Sequence, residues 1–254
     1  MGRTPDGRRG VAITGGRGGY AERAVAHESM VHEVPDGITD GEALALVGQG
    51  ITAWHLLRTA ARLAPGESVV VPAAAGGTGS LLVQLARHFG AGPVIGIASS
   101  EEKRDLILEL GADAAIEGGA DGLTDRLIEA NEGRMVDVAL EMTGGRAFDA
   151  SLDAVAPFGR LVVYGFASEI PPAPVDVAKR LVNQNRSVTG FYVGQCMARP
   201  EMFHGPLDEL FAMTASGRLK PQVGGVYPLA EARRAHEDLR ARRSHGKLVL
   251  DVSG

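Results

Sequence analysis

The feature that constrains this chain most is a run of β-branched residues that leads into a turn of small residues. Val69, Val70 and Val71 predict a buried strand, and the eight residues 72–79 include three alanines and three glycines. Leucines at helical spacing come next and predict a helix over about 78–89. A pyrophosphate needs close backbone approach and free N–H groups at a helix N-terminus, and only Gly or Ala side chains permit that approach. The segment therefore indicates a dinucleotide-binding turn.

The spacing of this turn is Ala74-x-x-Gly77-x-Gly79, which departs from a strict G-x-G-x-x-G pattern. A tight turn without a ligand is the alternative interpretation, but the strand before it and the helix after it favour a cofactor. No Lys-Ser or Lys-Thr pair follows the glycines. A P-loop for nucleoside triphosphates is therefore excluded, because nothing would reach the outer phosphates or a magnesium ion.

From about residue 67 the sequence alternates short β-branched runs with helical periods, which is typical of βαβ units and a parallel sheet. The predicted strands are 68–71, 94–97, 114–116, 136–140, 159–164 and 187–192. Between them we expect helices over about 78–89, 99–110, 123–131 and 148–155. Six parallel strands with intervening helices describe an α/β doubly wound, dinucleotide-binding (Rossmann) fold.

The two ends of the chain differ from this middle part. Residues 1–47 have the pattern of short extended pieces with turns, and residues 200–254 predict helices over 206–215 and 229–240 and a final strand over 247–250. We therefore expect the flanks to join in a second, smaller domain, with domain boundaries at 1–48, 49–193 and 194–254.

Composition excludes several classes of protein. The single Cys196 allows neither an intrachain disulfide nor a cysteine-based zinc site, which favours a cytoplasmic setting and no metal. A net charge of -5 argues against a nucleic-acid partner. No apolar run approaches the roughly 18 residues of a membrane span, so no membrane partner is expected. The histidines lack metal-ligand spacing, and no G-x-S-x-G elbow supports acyl-enzyme chemistry.

The residues after the second strand of the alternation bear on the choice of cofactor. Ser99 and Ser100 stand where an NAD-dependent enzyme places a carboxylate, and Lys103 follows. Hydroxyls and cations accept a 2'-phosphate that a carboxylate would repel, so the expected cofactor is NADP(H). The alternative is a helix capping box of Ser99 with Glu102, and both interpretations can hold together.

A series of short motifs runs in a specific order and spacing from about Gly15 to Val252. They are GGYAE at 18–22, VPDG at 34–37, GITA at 50–53, AAGGTG at 74–79, SSEEK at 99–103, LGAD at 110–113, GRLV at 159–162 and HGKLVL at 245–250. In this order they resemble the medium-chain dehydrogenase/reductase superfamily, and within it the zinc-independent quinone oxidoreductase (zeta-crystallin-like) branch.

The resemblance implies a set of cofactor contacts in this chain. Thr52 would lie near the nicotinamide, and Arg242 would close over the cofactor. The residues implied under the pyrophosphate are Gly76, Gly77 and Thr78, and those facing the 2'-phosphate are Ser99, Ser100 and Lys103. The residues implied along the nicotinamide are Gly165, Phe166, Ala167, Phe191, Tyr192 and Val193. No catalytic residue and no proton donor is implied.

The chain also departs from the branch in three places. Where the branch often has I-N-Y after the third strand, this chain has Ile116-Glu117-Gly118, which lacks the aromatic residue. Where it commonly has Asp-Ser-Val-Gly, this chain has residues 141–144 as EMTG, so a Ser hydroxyl is lost near the cofactor. Family members begin with a long GroES-like segment, whereas this chain enters the pattern near Val11, so we expect a truncated GroES-like substrate domain.

By resemblance, the expected activity is NADPH-dependent, zinc-independent hydride transfer to a small quinone or to an enone or carbonyl-conjugated acceptor. One alternative is an enoyl-thioester reductase or tailoring dehydrogenase of the same superfamily. Another is a truncated module that binds the cofactor without turnover. The resemblance also implies a homodimer that pairs through the sixth strand, residues 187–193, whose unpaired edge would in any case favour association.

Overall fold

The computed structural model of the protein describes residues 1–197 and 199–252. Its contacts divide the chain into two compact units. Unit 1 comprises Met1–Thr52, Gly76–Leu81 and Val193–Gly254, and unit 2 comprises Ala53–Ala75 and Leu82–Tyr192. The three domain ranges expected from the sequence stay a prediction.

Unit 1 opens with an antiparallel sheet of β1 (Gly2–Arg3), β2 (Arg9–Ala12) and β3 (Val31–Glu33). A helical stretch follows, which begins in unit 1 and continues into unit 2 from Ala53, with α1 (Asp40–Ala45), a π-helical turn (Leu46–Gly50), α2 (Ile51–His55) and a second π-helical turn (Leu56–Ala60). The expectation of only extended pieces up to residue 47 is therefore wrong at α1. Thr39 starts this helix in a capping box with Glu42, whose backbone N–H donates to the Thr39 hydroxyl.

Unit 2 is built on a six-stranded sheet in which all neighbouring strands are parallel. Its strands are β4 (Val69–Val71), β5 (Val94–Ala98), β6 (Ala114–Glu117), β7 (Val136–Glu141), β8 (Val155–Val163) and β9 (Ser187–Gly190). They lie in the order β6-β5-β4-β7-β8-β9. The predicted α/β, doubly wound, six-stranded fold is confirmed. The valines of β4 are fully buried, as expected for a central strand that is covered on both faces.

The helices between these strands are α3 (Gly77–His88), α4 (Glu101–Glu109), α5 (Leu123–Ala130) and α6 (Gly145–Ala154). The core of unit 2 is formed where Phe148 and Leu152 pack with Leu161 of the sheet. A polar clamp joins the two central strands at their start. The Ser68 backbone N–H and hydroxyl both donate to Asp137 Oδ2 at 2.8 Å, and the Asp137 N–H donates back to Ser68 Oγ.

The remaining elements belong to unit 1. They are α7 (Gly194–Met197), α8 (Pro200–Ala215), β10 (Val223–Pro228), α9 (Ala232–Arg240) and β11 (Lys247–Asp251), with β10 and β11 parallel. Helix α8 begins six residues earlier than predicted because Pro200 occupies its first turn, which leaves Pro206 inside the helix. Among the described residues, no helix is both long and apolar enough to cross a membrane.

Candidate functional site

In unit 2, three groups of predicted site residues follow the carboxyl ends of parallel strands. Ser99 and Ser100 follow β5, residues 165–167 follow β8, and residues 191–192 follow β9. Because the strands are parallel, all three groups lie at one edge of the sheet. In open α/β sheets, ligands bind at this edge where the strand order reverses, which here is between β4 and β7.

The serines after β5 are exposed, and one of them caps the next helix. The Ser100 hydroxyl accepts a hydrogen bond from the Lys103 backbone N–H at 3.4 Å. The expected capping box of Ser99 with Glu102 is therefore wrong, because α4 begins at Glu101 and its N-cap is one residue later. No carboxylate stands between the end of β5 and Glu101, so the position where an NAD-dependent enzyme has its acidic residue carries hydroxyls.

The segment after β8 is held against the turn after β7 by backbone hydrogen bonds. Ala167 N–H donates to the Met142 carbonyl at 2.7 Å, and Ser168 N–H donates to the Thr143 carbonyl at 2.9 Å. Three residues before Ala167, Tyr164 N–H donates to the Glu141 carbonyl at 2.9 Å. Residues 165–167 therefore take their position from residues 141–143.

A buried carboxylate organises that turn. The Glu141 side chain is only 2% exposed, and its Oε1 accepts from Thr143 N–H at 2.7 Å while Oε2 accepts from Gly144 N–H at 3.1 Å. Burial raises the pKa of Glu141. Burial, together with the nearby Glu141 charge, also raises the pKa of the Tyr164 phenol. Sequence reasoning noted only a missing hydroxyl here, although one acidic residue at the end of an apolar strand is a signal for such a role.

The end of β9 is tied to its neighbour in the sheet. Phe191 N–H donates to the Val163 carbonyl at 2.8 Å, and the Phe191 ring lies 6.1 Å from the imidazole of His55. The next residue, Tyr192, has 71% of its surface exposed. Of the predicted nicotinamide residues in unit 2, Phe166 is also exposed, at 52%.

The remaining predicted site residues lie in unit 1. Gly76 forms a parallel bridge with Gly246, and its carbonyl accepts the Ser80 N–H at the start of α3. The Thr52 hydroxyl donates to the Gly48 carbonyl at 2.8 Å. Arg242 is exposed and lies four residues before Gly246. The other predicted residues of this unit are Thr78 and Val193, both partly buried.

Gln49 is a polar residue at the turn that sequence reasoning missed. A Cβ added to Gly77 would lie 2.1 Å from Gln49 Nε2 and 2.5 Å from Gln49 Oε1. The amide oxygen is buried and has no hydrogen-bond partner among the described residues. A turn of small residues at a helix N-terminus, together with a buried polar atom that lacks a partner, fits a bound dinucleotide. The available signal was one amide side chain within the apolar run ALALVGQGITA.

Across residues 1–197 and 199–252, no group of three or more His, Cys, Asp or Glu side chains is arranged to hold a metal ion. A polar cluster in unit 1 joins His32 Nδ1 to His204 Nδ1 at 3.0 Å and His32 Nε2 to Asp208 Oδ1 at 2.9 Å. Both ring nitrogens of His32 make these hydrogen bonds, and the His32 and His204 rings stack with their centroids 5.3 Å apart, as expected for a structural cluster.

Residues 77–212 match the family described as zinc-binding dehydrogenase. A quinone oxidoreductase from Pseudomonas aeruginosa is 36% identical over 245 residues, which cover 96% of this chain and 74% of the relative. Escherichia coli quinone oxidoreductase in complex with NADPH has a TM-score of 0.87 at 29% identity, covering 96% of this chain and 75% of that one. A mycobacterial protein in complex with NADPH has a TM-score of 0.83 at 35% identity, and the match covers 91% of this chain and 70% of that one.

Proposed function

The chain belongs to the zinc-binding dehydrogenase family, in its zeta-crystallin-like quinone oxidoreductase branch, and we propose that it transfers hydride from NADPH to a quinone or an enone. It is an oxidoreductase, and its kinship with proteins solved in complex with NADPH supports NADP(H) as the cofactor. The observation that carries the proposal is the turn of small residues that leads from the central strand β4 into α3 at Gly77, beside the buried, unpartnered amide oxygen of Gln49. Such a turn presents the free backbone N–H groups of a helix N-terminus, which a dinucleotide pyrophosphate requires.

The cofactor, when bound, supplies the hydride, and the chain supplies binding and orientation. We assign the pyrophosphate to the turn of Gly76, Gly77 and Thr78. We assign the nicotinamide ring to Thr52 and the segments 165–167 and 191–193, and we assign to Arg242 the role of closing over the cofactor. Solvent can protonate a reduced quinone, so the proposal needs no acidic side chain and names none.

The cofactor preference is proposed from the residues after β5. Ser99 and Ser100 present exposed hydroxyls where a carboxylate would bind a ribose 2'-hydroxyl and repel a 2'-phosphate. Lys103 lies in the first turn of α4, within the same short segment. Two hydroxyls and a cation accept a phosphate, and we therefore propose NADPH over NADH.

We also propose that catalysis is independent of zinc, that the acceptor is a small molecule, and that the enzyme acts in the cytoplasm as a homodimer. A single buried cysteine, Cys196, suits a reducing compartment. The dimer would form through the edge of β9, since this strand has a sheet partner on one side, β8.

The test is oxidation of NADPH by 1,4-benzoquinone, followed by the loss of NADPH absorbance, with NADH measured in parallel. We expect turnover with NADPH to be favoured by about tenfold or more, which corresponds to about 1.4 kcal/mol. Lys103→Glu should weaken NADPH use and spare NADH, because it places a negative charge beside the 2'-phosphate. Lys179→Glu, on an exposed surface residue, is the matched control and should change neither.

The same assay separates the alternatives. Reduction of an enoyl thioester or a carbonyl compound, without reduction of quinones, would assign the chain to an enoyl-thioester reductase or a tailoring dehydrogenase instead. Tight NADPH binding with no turnover of any acceptor would identify a cofactor-binding module instead.

A further inference from the structure

We propose that Gln49 binds the cofactor: its amide oxygen accepts a hydrogen bond from a hydroxyl of the ribose that carries the nicotinamide. This inference rests on the proposed use of NADPH and names one further binding residue for it. Nothing in the sequence motifs assigns a role to this position.

The first support is the close packing of Gln49 on the glycine turn. Both residues belong to unit 1, and the amide group of Gln49 occupies the space that a side chain at Gly77 would need, within 2.1–2.5 Å of an added Cβ. Gly77 therefore opens the backbone to a polar side chain at the same point where the fold places a pyrophosphate. The π-helical turn Leu46–Gly50 carries Gln49, and such turns occur frequently at functional sites.

The second support is the state of the amide oxygen. Gln49 Oε1 is buried and lacks a hydrogen-bond donor among the described residues. Buried acceptors without a partner are rare and unfavourable in native proteins, and a donor supplied by a ligand would relieve the cost. Other described side chains also bury such an atom, but Gln49 is the one whose amide lies against the glycine turn.

The chemistry of the oxygen selects the part of the cofactor that it can contact. The pyrophosphate oxygens carry no hydrogen and cannot donate to an amide oxygen, whereas the adjoining ribose hydroxyls can. Gln49 precedes Thr52 by three residues on a helical segment, so the two side chains lie on neighbouring positions of one face. Since Thr52 is assigned to the nicotinamide, Gln49 is assigned to the nicotinamide side of the pyrophosphate.

The experiment compares two ligands in Gln49→Met, a substitution that keeps the length of the side chain and removes both polar atoms of the amide. Titration uses NADPH and 2',5'-ADP, which carries the adenosine phosphates but lacks the nicotinamide ribose. We expect the Kd for NADPH to rise by about 3- to 10-fold, the size of one hydrogen bond. The Kd for 2',5'-ADP should stay within error of the wild-type value.

A third readout distinguishes binding from support of the fold. Without ligand, the Tm of Gln49→Met should equal or exceed that of the wild type, because the substitution removes a buried acceptor that has no partner. The control, Gln184→Met at an exposed position, should change neither the Kd for NADPH, nor the Kd for 2',5'-ADP, nor the Tm.

Two results overturn the inference. Unchanged NADPH affinity in Gln49→Met removes the proposed contact, and equal weakening of both ligands with a lowered Tm identifies a residue that only supports the turn. Failure of the proposed function is recognised separately. Wild-type protein that binds NADPH but reduces no acceptor leaves the contact intact and contradicts the activity, whereas wild-type protein that binds no NADPH contradicts both.

Discussion

At the scale of single residues, substitution of Glu141 tests how a buried carboxylate contributes to the free energy of unfolding. Its carboxylate pairs two backbone N–H groups of the turn that positions residues 165–167. Glu141→Ala should lower the free energy of unfolding by about 1–3 kcal/mol, because buried donors lose their acceptor. Glu141→Gln keeps one acceptor oxygen and should therefore lower the free energy of unfolding by much less. Urea unfolding of both variants checks this, and equal losses would mean that the charge, not the acceptor, holds the turn.

The contribution of Glu141 to stability changes with pH in one direction. Burial raises its pKa in the native state, so folded protein holds this proton more tightly than the unfolded chain does. Its contribution to stability is complete below the ordinary glutamate pKa of about 4.3 and declines as the pH rises through the raised native value. The stability of Glu141→Gln should therefore improve relative to the wild type as the pH is raised from about 4 to 7.

At the scale of elements, one ion pair ties β8 to the segment that precedes β4. The Arg160 guanidinium reaches both carboxylate oxygens of Glu67, with Nη1 to Oε1 at 2.7 Å, and also donates to the Ala61 and Arg62 carbonyls. The two side chains are only 16% and 24% exposed. The hydrogen bonds from Arg160 are the main reason that the pKa of Glu67 is lowered.

Arg160→Lys should lower the free energy of unfolding by about 1–3 kcal/mol at pH 7, because an ammonium group cannot reproduce a forked, charge-assisted pair. The contribution of Glu67 is present above its ordinary pKa and is lost as the pH falls through its lowered native value, so the loss should shrink in acid. Arg87→Lys is the matched control, since Arg87 and Asp113 are 48% and 46% exposed and their pair should contribute little. Equal losses in the two variants, measured by urea unfolding, would contradict this assignment.

The elements also show how far the sequence predicts the fold. The strands of unit 2 were predictable because buried parallel strands are continuous apolar runs between clear turn residues. Strand β10 was not, since Gly224, Gly225 and Pro228 have poor strand propensity and the strand forms by pairing with distant β11. Helix α1 was not predicted because the pattern of residues 1–47 indicates extended pieces with turns, and the capping box of Thr39 with Glu42 is the signal that this interpretation misses. Glu141 is distinguished by its burial and its hydrogen bonds to backbone N–H groups, and Gln49 by a buried amide oxygen beside Gly77, and no spacing rule contains these features.

At the scale of the whole molecule, the free edge of the sheet decides how two copies would meet. Phe191 N–H points toward β8, where it donates to Val163. Backbone groups alternate direction along a strand, so the N–H and carbonyl of Gly190 point away from β8. Strand pairing across two subunits would use these outward groups, and it would extend the sheet beyond β9.

Gly190→Pro should therefore convert a homodimer into a monomer. Proline removes the outward N–H of residue 190 and leaves the Phe191 bond to Val163 in place, and an added Cβ at Gly190 meets no atom within 4 Å. Light scattering should give twice 26.5 kDa for the wild type and for Gly190→Ala, which keeps the N–H, and 26.5 kDa for Gly190→Pro. A wild-type monomer at micromolar concentration, or a dimer that survives the proline, would place any subunit contact elsewhere than the edge of β9.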